Sequence, residues 1–101
     1  MKAIGPDRLK ASGERIKTLR LALGLRATDM CAVIGCTAQD YSNWEHGVCQ
    51  PSLEHAFKFF DLWGVPLEYI YRGDMAKGDA DNMPHKLFMS LGQDNRKKVR
   101  A

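Results

Sequence analysis

The sequence predicts an all-α domain, and three observations lead there. Apolar residues recur at helical spacing through most of the chain. The stripes end at glycines (Gly24, Gly35, Gly47 and Gly64), which suit left-handed helix stops, and Gly73 follows the last of them. No segment shows strand alternation of useful length. A chain of 101 residues with a 45% apolar fraction fits one compact domain with a modest core.

Five short helices follow from this punctuation. Glu14 to Leu23 sets Ile16, Leu19 and Leu23 on one face, with Arg15, Lys17 and Arg20 between them. Ala27 to Ile34 does the same with Met30, Cys31 and Ile34. Thr37 to His46 follows after a two-residue turn. Gln50-Pro51-Ser52 breaks the chain, and Ser52 is placed to cap a helix from Leu53 to Trp63. There Leu53, Ala56, Phe57, Phe60 and Trp63 form an apolar stripe expected to face the core. Pro66 suits the first turn of a last helix, Leu67 to Tyr71. The expected organisation is an N-terminal extension (1–12), the helical domain (13–74), then a linker, a short helix and a basic tail (75–101). That last helix would carry Leu87, Phe88 and Leu91.

Charge is uneven along the chain. Residues 1–26 hold seven bases against two acids, residues 27–71 one base against six acids, and residues 72–101 seven bases against four acids. Basic flanks around an acidic middle suit a polyanion met from the sides, and equally suit plain solvated faces. No apolar run approaches the roughly 18 residues of a membrane span, and no stretch of signal-peptide length opens the chain, so a soluble cytoplasmic protein is expected. Three cysteines without a C-x-x-C do not suggest a disulfide framework. Cys31, Cys36, His46 and Cys49 lack the closely spaced ligand pairs of zinc sites, so no metal or other cofactor is expected. Cys31 and Cys36 read as small buried hydrophobes. The three histidines form no triad or ligand pattern and there is no glycine-rich phosphate loop, which argues against an enzyme.

Ala27–Ile34 and Thr37–His46, joined by a tight glycine-containing turn, have the proportions of a helix-turn-helix. Gln39 and Asn43 are four apart and share a face of the second of these helices. A side-chain amide offers an acceptor and donors together and can pair with N7 and N6 of adenine in the major groove. Ala38 adjoins them and suits a thymine methyl. Asp40, three residues after Thr37, completes a Thr-x-x-Asp pattern like the capping box and lies at the positive end of the helix dipole. It reads as helix-start chemistry, with acceptance from a cytosine amino group as the lesser alternative. Tyr41 and Trp44, spaced i, i+3, are expected to pack inward with the Tyr41 hydroxyl near the surface.

Over residues 13–74 the sequence resembles the phage-repressor (Cro/Xre-like) helix-turn-helix family, on "GERIKTLRLALGL", "MCAVIG", "YSNWEHG", "PSLE" and "GVPLEYIYRGD" in that order and spacing. The resemblance implies a five-short-helix, repressor-like DNA-binding domain. Its third helix would lie in the major groove of double-stranded DNA, usually within a homodimer. Base-reading positions fall on Ala38, Gln39, Ser42 and Asn43, and phosphate-contacting ones on Thr37 and Arg26. The family's acid before the terminal glycine falls on Glu45, whose implied partner is Arg20. Two departures stand out. The family's frequent helix-two cap (Ser or Thr) and following Gln are Arg26 and Ala27 here, and the loop after helix three lacks basic residues. Positive charge must then come from Arg26, from the first helix (Lys10, Arg15 and Lys17), from the tail, or from a second subunit. The implied function is sequence-specific transcriptional regulation. The alternative is an antitoxin-type module that binds a toxin and its own promoter.

Overall fold

The computed structural model describes residues 5–91. Residues 1–4 and 92–101 lie outside it, and with them Gly92 and the basic tail. Five α-helices follow one another: α1 (Pro6–Ala22), α2 (Ala27–Ile34), α3 (Ala38–Glu45), α4 (Leu53–Trp63) and α5 (Leu67–Arg72). A 3₁₀ turn, Lys77–Asp81, and a helical stretch at 85–91 complete the described chain. Helices α2 to α5 stand within a residue of the sequence expectation at each end.

The first helix differs. It begins at Pro6, with Gly5 as N-cap and Asp7 in its first turn. Most of the expected N-terminal extension therefore belongs to a helix of the domain. Pro at a first helical position followed by an acid is itself a start signal. Gly13 obscured it, because glycine lowers helix propensity by about 1 kcal/mol relative to alanine. Its place in α1 has a steric reason. A Cβ there would lie 2.4 Å from the carbonyl oxygen of Trp44 and 2.6 Å from that of Glu45. Only a residue without a side chain lets α1 approach the end of α3 this closely.

Helix α1 is the central strut and packs against both α3 and α5. Its inner residues Ile16 and Leu19 join Met30 and Ile34 of α2, Tyr41 and Trp44 of α3, Phe59 of α4, and Tyr69 and Ile70 of α5. On the α5 side two polar groups of α1 are buried. Ser12 donates to the Ile70 carbonyl at 2.7 Å, and Arg15 donates through Nε to the Tyr69 carbonyl at 2.7 Å and through Nη2 to that of Ile70 at 3.3 Å. A guanidinium thus caps carbonyls in the last turn of α5, adding to the Gly73 N–H already donated to Tyr69. Arg15, expected as a phosphate candidate, is buried and serves this clamp.

Met83, Leu87 and Leu91 are also buried in the core, with Phe88 and Met75 packed against it. The short helix expected around Leu87, Phe88 and Leu91 is therefore present and packs onto the core. The polar, glycine-containing stretch MAKGDADN before it is mostly exposed, with Met75 packed against the core.

Helix α4 corrects a second expectation. Ala56 and Phe59 face the core, with His55 and Trp63 half-buried, whereas Leu53, Phe57 and Phe60 are exposed. The helix carries apolar residues on more than one face. The inward stripe runs one position away from the one drawn in sequence.

Candidate nucleic-acid interface

The helix-turn-helix is α2 and α3, joined at Gly35 and Cys36. Gly35 adopts φ 81°, the left-handed conformation that lets the chain reverse between the two helices. The N–H groups of Gly35 and Cys36 both donate to the Cys31 carbonyl, at 2.9 and 3.2 Å, closing a Schellman-type turn. Helix α3 then starts on Thr37, whose hydroxyl accepts the Asp40 N–H at 3.0 Å. This is one arm of the expected capping box. Among the described hydrogen bonds, the return arm from the Asp40 carboxylate is not made.

The inner face of α3 is fixed by three side chains. Tyr41 and Trp44 are buried and meet edge to face, with ring centroids 5.8 Å apart. His55 of α4 lies against the far side of Trp44 at 5.2 Å. Glu45 pairs with Arg20 of α1, as the resemblance implied: Nε–Oε2 is 2.7 Å and Nη2–Oε1 is 3.3 Å. Both side chains are largely shielded, and Arg20 also donates to the Leu25 carbonyl at 3.1 Å. The hydrogen bond to Glu45 raises the Arg20 pKa further above its already high value. The Tyr41 hydroxyl is not at the surface as expected. It donates to Glu45 Oε2, so one carboxylate gathers an arginine and a phenol. Burial, followed by that hydrogen bond, pushes the phenol well above its ordinary range. Glu45 is thus neutralised inside the domain and adds no free negative charge to the outer face of α3.

The outer face presents Ala38 and Gln39 exposed, with Ser42 and Asn43 half-exposed. Gln39 Nε2 donates to Asn43 Oδ1 at 2.9 Å. That bond uses one of the two amide protons of Gln39 and leaves its carbonyl oxygen and second N–H. One acceptor beside one donor is the pair that adenine N6 and N7 require. Asn43 therefore acts first as a brace that fixes Gln39, and keeps its own NH₂ group for a further contact. Ser42 is turned along the helix instead. Its hydroxyl lies 3.2 Å from Nδ1 of His46, and that same nitrogen lies 2.8 Å from the Ser42 carbonyl. The interaction with His46, outside the sequence expectation, makes Ser42 the most engaged of the four.

Of the phosphate candidates, Thr37 and Lys17 are exposed. Lys17 stands one helical turn beyond Gly13, the point where α1 touches α3. Arg26 is the N-cap of α2, and its side chain has no acceptor with which to cap. The cap is supplied in reverse: Asp29 accepts the Arg26 backbone N–H at 3.1 Å, and its carboxylate also takes Nε and Nη2 at 3.1 and 3.2 Å. The Arg26 guanidinium holds the Asp29 carboxyl below the usual carboxylate range. The Arg26 side chain remains 82% exposed, so the pair is open to exchange with another anion.

Cys31 and Cys36 are half-buried beside the turn and Cys49 is exposed. No group of three or more metal-ligating side chains occurs among the described residues, and no helix there is long and apolar enough to cross a membrane.

Two short helices at this turn, a shielded inner face on α3 and an outer face of amides define a helix-turn-helix domain, a DNA-binding class of fold. The helix-turn-helix family model matches residues 16–70, and the chain belongs to this Cro/Xre-type family. Among known proteins it is similar to the SPbeta prophage-derived uncharacterized HTH-type transcriptional regulator YonR of Bacillus subtilis (strain 168). The two are 31% identical over 71 residues, which covers 70% of this chain and 66% of the relative, just under two thirds of its length. No solved structure matches.

Proposed function

We propose that this protein is a sequence-specific transcriptional regulator that binds double-stranded DNA as a homodimer on a two-fold site. Helix α3 enters the major groove, and Gln39, braced by Asn43, reads an adenine, while Ala38 meets a thymine methyl. The observation that carries this reading is the hydrogen-bonded amide pair on the outward face of α3. Ser42 contributes at the edge of the contact. Arg26, Thr37 and Lys17 take phosphates, with Arg26 exchanging the Asp29 carboxylate for a phosphate oxygen. The domain's membership of a DNA-binding family and its likeness to a regulator support the same reading.

Dimerisation is supported by the outer side of α4. Leu53, Phe57 and Phe60 are 54%, 46% and 44% exposed. Phe57 and Phe60 border a shallow groove with Pro66 and Leu67, edged by Glu68 and Asp79. Burying such a side chain from full exposure is worth about 1.5–3 kcal/mol, and these, already half covered, would yield roughly half of that each. A second copy set against this face would cover it and double the positive charge offered to a duplex. The same face favours a second reading, in which a toxin-type protein partner covers it.

Fluorescence anisotropy on labelled duplexes, in low and raised salt, tests the DNA reading. Binding that falls steeply with salt is expected. Failure on both two-fold and random duplexes at low salt overturns it. Sedimentation of the protein alone separates the two partners. A concentration-dependent dimer lost on Phe57→Ser and Phe60→Ser supports the homodimer, and a monomer at all concentrations favours the heterologous partner.

A further inference from the structure

We infer that Cys31 and Cys36 form an oxidisable dithiol whose closure to a disulfide weakens DNA binding. The geometry begins with the turn between α2 and α3. The Cys36 N–H bonds back to the Cys31 carbonyl at 3.2 Å, the six-to-one closure that sets the side chains at its two ends against each other. Here both ends are cysteines. Burial, and then the neighbouring Cys31 thiol, pushes the Cys36 thiol up to about 11. The Cys31 Sγ also donates to the Thr37 carbonyl at 3.9 Å. The dithiol therefore touches the N-cap residue of the helix assigned to base reading.

Disulfides need Cα atoms roughly 4.4–6.8 Å apart and a Cβ–S–S–Cβ angle near a right angle. A chain folded back on itself by the left-handed Gly35 is suited to the first requirement. Closing the bond removes the Cys31 S–H, and with it the hydrogen bond to the Thr37 carbonyl at the start of α3. With a hydroperoxide as oxidant, the half-exposed Cys31 thiolate attacks the peroxide oxygen, the O–O bond breaks, and water leaves. The resulting sulfenic acid is then attacked by the sulfur of Cys36. The S–S bond forms, and the sulfenic oxygen departs as a second water with the remaining protons. In sum two thiols and one hydrogen peroxide give one disulfide and two waters. Cys36, kept protonated by burial until then, gives up its proton as its sulfur attacks and is the resolving partner. Thiol reductants reverse the step.

The effect on DNA rests on the reading given above, whereas the disulfide itself does not. The test uses the full chain carrying Cys49→Ser, which removes the exposed third thiol. It is treated with hydrogen peroxide and mapped by mass spectrometry without reduction. A peptide joined through Cys31 and Cys36 is expected, absent in Cys31→Ser and in Cys36→Ser. In anisotropy the oxidised protein should bind its duplex about tenfold or more weakly, within the usual range for coupling between two sites, and dithiothreitol should restore it. Each serine variant should hold its affinity in peroxide. No internal link overturns the proposal, as does a link that leaves affinity unchanged or serine variants that lose affinity in peroxide equally. If the reduced protein binds no duplex, the DNA reading fails and the regulatory half falls with it. The peptide map still decides the dithiol.

Discussion

The two faces of α3 are built on opposite principles. Inside, Trp44 and Glu45 are held by other helices, through a ring contact with His55 and a bidentate ion pair with Arg20. Buried Tyr41 ties them together by its ring contact and phenol hydrogen bond within α3. Outside, Gln39 and Asn43 are satisfied only by each other. A pair of that kind on a helix surface adds roughly 0.2–0.5 kcal/mol. The same contrast separates two arginines. Arg20 is enclosed with its carboxylate, whereas Arg26 shares one in open solvent. What is enclosed positions the helix, and what is merely braced is left for a ligand.

Substitutions on the two faces should therefore fail in different assays. The largest effect is expected from Glu45→Gln, which strips the charge from the acceptor of both Arg20 and Tyr41. Breaking a buried ion pair costs roughly 3–5 kcal/mol, and partial exposure here places the loss at about 2–3 kcal/mol. Denaturant melts should register it, and an unchanged midpoint would mean the pair does not hold α3. Next come Gln39→Ala and Asn43→Ala. Each should leave the melt within about 0.5 kcal/mol of the parent. Gln39→Ala should cost roughly 1–3 kcal/mol of discrimination at one base pair, and Asn43→Ala should cost less by loosening its brace. A large loss of stability from either would erase the distinction between the faces.

A pH series sharpens the inner face. The folded state raises the Tyr41 pKa, so it holds that proton more tightly than the unfolded chain does. The resulting stability is fully present below the ordinary phenol value of 10.0 and declines as pH rises above it. Tyr41→Phe should flatten the alkaline fall relative to the parent, and parallel curves would contradict the assignment. The smallest effect belongs to Arg26→Gln. Affinity should drop evenly across DNA sequences, with the salt slope reduced by about one counterion.

Much of this was legible in the sequence. Glycine stops and caps fixed α2 to α5, because the signals that end a helix are local. The Arg20–Glu45 pair came through the family resemblance, since no spacing rule links residues so far apart in the chain. The missed parts share a cause. The early start of α1 was masked by Gly13, whose purpose lies in α3. Arg15 looked like a solvent-facing base until the carbonyls of Tyr69 and Ile70 were in place around it. The outward Phe57 and Phe60 sat in a helix apolar on several faces, where periodicity alone does not choose the buried one. Met83 joined the core from a stretch with little pattern of its own, whereas Leu87 and Leu91 stood in the short helix already expected there. On α3, the shared face of Gln39 and Asn43 was readable from their spacing, while their role as base readers came from the family resemblance and stands as our proposal. The diversion of Ser42 toward His46 was not readable, because it depends on side-chain rotamers.

Selection of bound sites from a random pool of duplexes, run with the parent protein and with Gln39→Ala, tests the central claim most directly. The account predicts an enriched site with two-fold related half-sites about one helical turn apart. It further predicts that an adenine–thymine pair in each half-site loses its enrichment in the variant, with the other positions retained. An identical site from both proteins, or no enrichment from the parent, would contradict a base-reading role for the outer face of α3.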